Sequence, residues 1–154
     1  MRLSIFACAA LLLTSPVPGF AQSGHADLIT GPDGVKWGPA PSLPAGAQLA
    51  VLSGDPSKDG PFVLRLKLPS DYKVPAHSHP TAEHVTVLSG NFHAGMGDKL
   101  DASKGQAFQP GGFVAMPANM HHFAWTTGET ILQVHGTGPF TIVYVDPAED
   151  PRKK

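Results

Sequence analysis

The chain has 154 residues, of which 15% are charged and 42% are hydrophobic, and its formal net charge at pH 7 is −1. This length and apolar content suit one packed domain and leave little room for a second. The near-zero charge, without any long run of like charges, argues against a nucleic-acid or anionic-membrane partner. The single cysteine excludes a disulfide framework within the chain.

Residues 1–21 have the pattern of a secretory signal peptide. A positively charged start precedes an apolar run over residues 3–13, and a small-x-small cleavage site lies at 19–21. The alternative is a membrane anchor, but the run is about half the length of a membrane-spanning helix. Lipoprotein processing needs a cysteine at the end of the run, whereas Cys8 lies inside it. We therefore expect a secreted or periplasmic protein without membrane association after cleavage.

Residues 22–46 are rich in Gly, Pro, Ser and Ala and predict an N-terminal arm that Trp37 can pin to the fold. Short apolar or alternating segments between turn residues then predict strands at 48–52, 62–68, 84–88, 92–96, 113–116, 122–125, 131–135 and 140–145. Only residues 98–104 suit a helical turn. We predict an all-β antiparallel sandwich or barrel over 47–146 with room for one small ligand, and a loose polar tail at 147–154.

Residues 75–83 contain the densest group of histidines. His77 and His79 are two residues apart, so on a strand their side chains point the same way. The turn at 80–82 can bring Glu83 back beside them at the start of the next strand. Imidazole and carboxylate together form a ligand set for Fe, Mn, Ni, Cu or Zn. The alternative, histidines that merely decorate a loop, fits a lone His-x-His pair equally well.

A second stretch, residues 111–122, has a glycine and a proline that bracket a short apolar strand, and a histidine that opens the next strand. Together the two stretches resemble the two motifs of the cupin superfamily. The matching patterns are His77-x-His79-x3-Glu83-x6-Gly90 and Gly111-x5-Pro117-x-Asn119-x2-His122. Two motif glycines are replaced, by Asp71 and Asn119, the residue types other than glycine that best tolerate left-handed turns. Neither replacement removes a ligand.

The resemblance implies a single-domain, RmlC-like jelly roll, which is a double-stranded β-helix that closes into a barrel. It also implies one divalent transition metal per chain, which can be Mn, Fe, Ni, Cu or Zn. The implied ligands are His77, His79, Glu83 and His122. His121 is the rival for the fourth position, but the spacing from the motif proline favours its neighbour.

The strand pattern extends this site to further residues. If His122 points into the barrel, Thr126 lies on the same side of the strand. Gln133 and His135 share strand parity, and we expect both to line the barrel, where His135 can carry a proton. Its alternative role is that of a polar group in the core or at the rim. Tyr144 completes the candidate substrate pocket, whereas surface positions are expected for the three histidines His25, His84 and His93.

By resemblance, the first expectation for function is a metal-dependent enzyme that acts on a small organic substrate. A dioxygenase similar to the cupins that cleave diketones or flavonols comes first, and a lyase or isomerase comes next. Glu83 would act as a ligand or, when detached, as a general base. The alternative is a non-catalytic cupin module that binds a metal or a small molecule for sensing. A homodimer is also expected, because small cupins often pair through sheet edges or faces.

Overall fold

The computed structural model describes residues 31–154, so the predicted signal peptide lies outside the described residues. The strands in this part of the chain are β1 (Gly38–Pro39), β2 (Gln48–Ser53), β3 (Gly60–Leu68), β4 (Lys73–Ser78), β5 (Glu83–Ser89), β6 (Phe92–Met96), β7 (Gly105–Phe108), β8 (Phe113–Met116), β9 (His122–Thr126), β10 (Thr130–Gly138) and β11 (Val143–Tyr144). Its 3-10 turns are Pro32–Gly34, Ala102–Lys104, Pro147–Glu149 and Pro151–Lys153. No helix within residues 31–154 is long and apolar enough to cross a membrane.

The strands form two antiparallel sheets. The six-stranded sheet has the order β1-β2-β3-β10-β5-β8, and the five-stranded sheet has the order β11-β4-β9-β6-β7. Strand β10 pairs with both β3 and β5, which precede it by many residues, so the chain crosses repeatedly between the two sheets. This connectivity of short antiparallel strands in two layers is that of a jelly roll. The predicted all-β fold is confirmed.

Strand alternation decides which face of the larger sheet is buried. In β10, Leu132 and Val134 are 2% and 1% exposed, whereas Gln133 and His135 are only half-buried. Because successive strand side chains point to opposite faces, the first pair enters the core and the second pair lies on the outer face of the sheet.

The core fills the space between the two sheets. The larger sheet contributes buried apolar side chains that include Leu64 and Val85, and the smaller sheet contributes Phe92 and Ala124. Full burial of a Leu, Val or Phe side chain stabilises a fold by about 1.5–3 kcal/mol relative to exposure. These contacts hold the two sheets together and leave a cavity between them that is open to a ligand.

All eight predicted strands are present, although the last is confined to β11. The prediction missed β1, β4 and β7. Strand β4 contains Pro75, which cannot donate a backbone hydrogen bond to the ladder. Its pairing with β9 also shifts register between Val74 and His77. This interruption gives β4 a weak strand signal, even though it carries the first histidine of the site.

The two positions where the motif glycines are replaced adopt the left-handed backbone conformation. Asp71 has a φ of 57° and Asn119 has a φ of 62°. Asp and Asn tolerate this conformation better than other residues with a side chain. The turn geometry therefore survives both replacements, as the sequence predicted.

The two ends of the described chain are both fastened to the barrel. Within the arm, β1 pairs with β2, and Trp37 lies half-buried beneath the Lys67 ammonium group, which is 5.7 Å from the ring centroid. The tail forms two 3-10 turns and is not loose, which corrects the prediction for residues 147–154. Its Asp150 is only 6% exposed and binds the Arg152 guanidinium through both carboxylate oxygens.

Candidate metal centre

Three histidines from the two motifs meet between the sheets. His77 on β4 and His122 on β9 are directly paired across the ladder, and their ring centroids are 4.2 Å apart. His79 lies just beyond the end of β4, with its ring centroid 5.0 Å from that of His77. The backbone N–H of Asn119 donates to the His79 carbonyl over 2.7 Å, so the turn of the second motif is joined to the first.

Backbone carbonyls fix the orientation of all three rings. The Nδ1 atoms of His77, His79 and His122 lie 2.7, 2.8 and 2.9 Å from the carbonyl oxygens of Pro75, Thr141 and Met120. A carbonyl oxygen can only accept, so each Nδ1 carries the proton and donates it. In a neutral imidazole this leaves the lone pair on Nε2, the form that binds a metal.

The free ring nitrogens converge. One ring nitrogen from each of the three histidines lies within 4.8 Å of the other two. Nε2 of His79 and Nε2 of His122 are buried without a hydrogen-bond partner. Ligand nitrogens on one ion sit about 2.1 Å from it and hence up to about 4.2 Å apart, so a small contraction completes the site. Buried orphan nitrogens of this tautomer fit a divalent transition metal in ligand chemistry and in position.

Glu83 adds a carboxylate to this cluster. It opens β5, is 9% exposed, and places Oε2 3.6 Å from His79 Nε2 and 3.4 Å from His122 Nε2. Burial alone raises the pKa of its carboxyl, but the contact with His122 and the other two imidazoles outweighs burial and lowers it. The Glu83 carboxylate is therefore ionised and contacts two of the three histidines, whereas the group of converging ligand atoms consists of the histidine nitrogens alone.

Burial also keeps two of the imidazoles, those of His77 and His79, neutral. Loss of solvent, reinforced by the neighbouring His122 and His79 rings, lowers the pKa of His77 to about 3. Burial likewise lowers the pKa of His79, although Glu83 opposes this shift. A neutral imidazole needs no deprotonation before it binds a metal, so the site is ready for an ion at ordinary pH.

The cluster borders a cavity of about 260 Å³ between the sheets. Its walls are mostly apolar, with Leu64, Val85 and Leu132 among them. The polar residues that line it include His77, His79, His122 and Glu83. Drug-sized ligands occupy pockets of about 300–1,000 Å³. The cavity therefore suits a small organic molecule that touches the metal centre at one end and apolar walls elsewhere.

The loop between β10 and β11 supports the site, a role that the sequence analysis missed. The Phe140 ring stacks on His79 with a centroid distance of 4.2 Å and an interplanar angle of 15°. The next residue, Thr141, provides the carbonyl that accepts from His79. Neither residue belongs to a metal-ligand motif, so no local signal identified them.

Two predicted pocket residues face the core but do not line the cavity. Thr126 Oγ1 accepts from the Tyr72 backbone N–H over 3.1 Å and donates to the Pro69 carbonyl over 2.6 Å. Its hydroxyl is therefore committed to joining β9 to the chain before β4. Tyr144 lies with its ring centroid 6.1 Å from that of His77, and its hydroxyl donates to the Ser42 carbonyl over 2.9 Å.

Gln133 and His135 lie outside the barrel, which corrects the prediction that they line it. Gln133 accepts from Arg65 on the outer face of the larger sheet, with 3.4 Å between Nε and Oε1. His135 stacks there on His84 at a centroid distance of 5.1 Å. The apolar side chains that alternate with them along β10, those of Leu132 and Val134, lie in the core.

His121 lies apart from the cluster. Its side chain is 46% exposed, and its Nδ1 is 2.7 Å from a carboxylate oxygen of Asp98. His122, the neighbour that the motif spacing favoured, occupies the buried position. Strand alternation from β9 therefore places only one of these two adjacent histidines in the site.

Comparison with known proteins relates this chain and its fold to cupins. The family model described as "ChrR Cupin-like domain" matches residues 25–141. No curated protein matches the chain. Among solved structures, the polyketide cyclase RemF from Streptomyces resistomycificus has a TM-score of 0.64 at 18% identity, with 81% of this chain and 89% of that chain covered.

Two further solved structures share the fold. A candidate acetylacetone dioxygenase from Methylibium petroleiphilum has a TM-score of 0.60 at 20% identity, covering 91% of this chain and 90% of that one. The structure of SigE in complex with the anti-sigma ChrR, from Rhodobacter sphaeroides, has a TM-score of 0.51 at 19% identity, covering 69% of this chain and 50% of that chain. At these identities the likeness shows a common fold.

Proposed function

Because the chain belongs to the family of ChrR cupin-like domains, we propose that it binds one divalent transition metal and uses it to transform a small organic molecule. The ligands are the four residues of the cluster, His77, His79, Glu83 and His122. The observation that carries this proposal is the convergence of ring nitrogens from three buried histidines, together with a carboxylate, at an apolar cavity. Imidazole and carboxylate suit Mn, Fe, Ni, Cu and Zn, so metal analysis decides among these ions.

The bound ion would supply Lewis acidity and, if redox-active, the ability to react with dioxygen. The chain's own residues prepare the site for this chemistry. The apolar walls favour an apolar substrate body, and the three backbone carbonyls hold the imidazole rings in one orientation. Glu83 has a lowered pKa and is therefore ionised, so when it is detached from the ion its carboxylate can accept a proton from a substrate carbon or hydroxyl.

Dioxygenation of a small chelating diketone, flavonol or phenolic ketone is the first reaction that we propose, and metal-assisted lyase or isomerase chemistry is the second. The fold shared with RemF and with the candidate acetylacetone dioxygenase supports an enzymatic role. The test is oxygen uptake by protein loaded with each of the five metals in turn, with these compounds as substrates. Oxygen uptake that needs both metal and substrate supports dioxygenation. If no metal gives oxygen uptake, dioxygenation of the tested compounds is excluded.

A sensing role is the second candidate function. The observation in its favour is that the matching family model describes a ChrR cupin-like domain, and that ChrR has been solved with SigE. In this role the cavity would bind a small molecule and release it unchanged. Mass spectrometry of each ligand after incubation with the metal-loaded protein separates the two functions, because an enzyme yields product and a sensor returns the ligand.

We also propose that the mature chain is exported to the periplasm or the medium and forms a homodimer. The pattern of residues 1–21 supports export, and the exposed Phe113 on edge strand β8 supports pairing of two copies. N-terminal sequencing of the protein from separated cell fractions tests the first proposal, and light scattering tests the second. A protein that keeps its original N-terminus and is found in the cytoplasmic fraction would contradict export. A monomeric mass by light scattering would contradict the homodimer.

A further inference from the structure

The C-terminal tail adds one charged side chain to the cavity wall. Arg152, which belongs to the 3-10 turn Pro151–Lys153, is the one lysine or arginine that lines the cavity within residues 31–154. Its side chain is 42% exposed, whereas the carboxylate of its partner Asp150 is 9% exposed. Arg152 therefore borders both the cavity and the solvent, where an entering anion would meet it.

The guanidinium is held in one orientation. Nε donates to Asp150 Oδ1 over 2.8 Å, and Nη2 donates to Asp150 Oδ2 over 2.8 Å and to the Ile142 carbonyl over 3.0 Å. A guanidinium has five N–H donors in a rigid fork. Within the described part of the chain, Nη1 donates to no protein group, so its two hydrogens are free for a ligand. An oriented donor pair of this kind loses little entropy when it binds a carboxylate.

One short loop connects this arginine to the metal centre. Phe140 stacks on His79, Thr141 accepts from His79, and Ile142 accepts from Arg152. Consecutive Cα atoms are about 3.8 Å apart, so these supports lie side by side along the cavity wall. A small ligand in a cavity of about 260 Å³ can therefore reach both the metal centre and the arginine.

The charges of the site indicate how many charges the ligand carries. Three neutral imidazoles, the Glu83 carboxylate and a divalent ion leave a net charge of about +1, and the Asp150–Arg152 pair adds none. A monoanion makes the assembly neutral, whereas a dianion leaves uncompensated charge beside apolar walls, which is costly. A carboxylate is the monoanion whose geometry matches a guanidinium.

We propose that Arg152 is the specificity residue of the cavity and that the substrate is a small carboxylate with an apolar body and a metal-chelating oxygen at its other end. This inference rests on the metal centre proposed above. It narrows the substrate class from neutral diketones and phenols to their carboxylate-bearing counterparts. It also gives the ordered tail a role, because Asp150 positions Arg152 toward the ligand.

The test uses probes that carry both recognition groups. Imidazol-1-yl alkanoic acids of increasing chain length bind the metal at one end through a neutral imidazole nitrogen and present a carboxylate at the other, and their terminal amides are the neutral controls. Binding to the full mature protein loaded with Co(II) is followed by the visible spectrum of the ion. We expect that one chain length binds about tenfold tighter as the carboxylate than as the amide, and that Arg152→Met reduces this ratio to less than about twofold.

The controls separate the possible failures. Lys153→Met removes a neighbouring charge that does not line the cavity, and it should leave the carboxylate preference unchanged. Arg152→Met should keep its Co(II) content and its affinity for the amide probes. If the role of Arg152 were purely structural, the substitution would lower both of these quantities. The ratio of carboxylate affinity to amide affinity in the wild-type protein tests the carboxylate preference without any variant, so this test remains possible even if Arg152→Met does not fold.

Two negative results have different meanings. If the protein binds no Co(II), or if the amide probes do not perturb its spectrum, the proposed metal centre fails. If the amides bind but no chain length favours the carboxylate, the assignment of Arg152 is overturned and the metal centre stands. A carboxylate preference that persists in Arg152→Met also overturns it.

Discussion

Histidines occupy both faces of this barrel, and the two groups differ in what surrounds them. Inside, His77, His79 and His122 are 3–5% exposed, and each donates its Nδ1 proton to a backbone carbonyl. Outside, His84 and His135 are half-buried and stack on each other at a centroid distance of 5.1 Å. Parallel stacking of the outer rings places their faces together and does not aim their nitrogens at one point.

This comparison shows what turns a histidine into a candidate ligand. His-x-His spacing alone places two rings on one side of a strand. The inner group has in addition a carbonyl acceptor for each Nδ1, a carboxylate at 3.4 to 3.6 Å from two of the rings, and burial that lowers the pKa of His77 and His79. Because the outer pair lacks this carboxylate and this burial, substitutions in the two groups should have very different effects.

The largest difference is expected between His122→Ala and His135→Ala. His122→Ala removes an inner ligand, so the metal content should fall from about one ion per chain to below about 0.1. His135→Ala should leave the content unchanged, and so should His121→Ala, since that side chain points away from the cluster toward Asp98. The measurement is metal analysis after equilibration with a limiting chelator. Retention of metal in His122→Ala, or its loss in His121→Ala, would refute the ligand assignment.

A smaller effect on affinity is expected from Glu83→Gln, which preserves the size of the side chain but removes its charge. Metal affinity should fall by about tenfold or more, because the ligand set loses its anion. At saturating metal, turnover should still be abolished, since an amide cannot accept the substrate proton. Competition with a chelating dye measures the affinity. Glu149→Gln, at an exposed position of the tail, is the matched control. Full turnover in Glu83→Gln would argue against the role of Glu83 as a base.

The third expectation concerns pH. The folded protein holds the pKa of His77 at about 3, below the ordinary histidine value of 6.5, so between these values the unfolded chain binds a proton that the folded chain does not. Stability of the metal-free protein is therefore full above about pH 6.5 and declines as the pH falls, by up to about 1.4 kcal/mol per pH unit for each such group. The lowered pKa of His79 acts in the same direction.

Urea unfolding of the metal-free protein between about pH 8 and pH 5 measures this dependence. This pH interval spans the pKa of an ordinary histidine, which is about 6.5. His77→Gln should flatten the curve, whereas His135→Gln on the outer face should leave its slope unchanged. A stability that rises on acidification would contradict the assignment of His77 as a buried neutral imidazole.

The smallest effect is expected from the aromatic neighbours. Phe140→Leu removes the ring that stacks on His79, so metal affinity should fall by about tenfold, as is usual when a group that orients a ligand is changed. Phe113→Leu removes the ring that stacks on His84 outside the barrel, and metal affinity should not change. The same dye competition measures both variants, and equal losses in the two would mean that the stacking on His79 is not what orients it.

The sequence, through its resemblance to the two cupin motifs, predicted the ligand set, and its turn residues and apolar segments predicted most of the strands. The spacing of His77, His79 and Glu83 predicts side chains that share one side and a turn, and both follow from local geometry. The left-handed turns at Asp71 and Asn119 were predicted for the same reason. The sequence could also have predicted that Gln133 and His135 face outward, because they alternate along the strand with the apolar residues Leu132 and Val134, which are buried.

Only the tertiary structure identified the partners that come from distant parts of the chain. The carbonyl of Thr141, the ring of Phe140 and the guanidinium of Arg152 reach the cavity because two sheets and an anchored tail bring them there. A strand period fixes which side chains share a face, but it carries no information about which loop will pack against them. Contacts between residues far apart in the chain depend on how the whole barrel closes, and spacing within one motif cannot encode that.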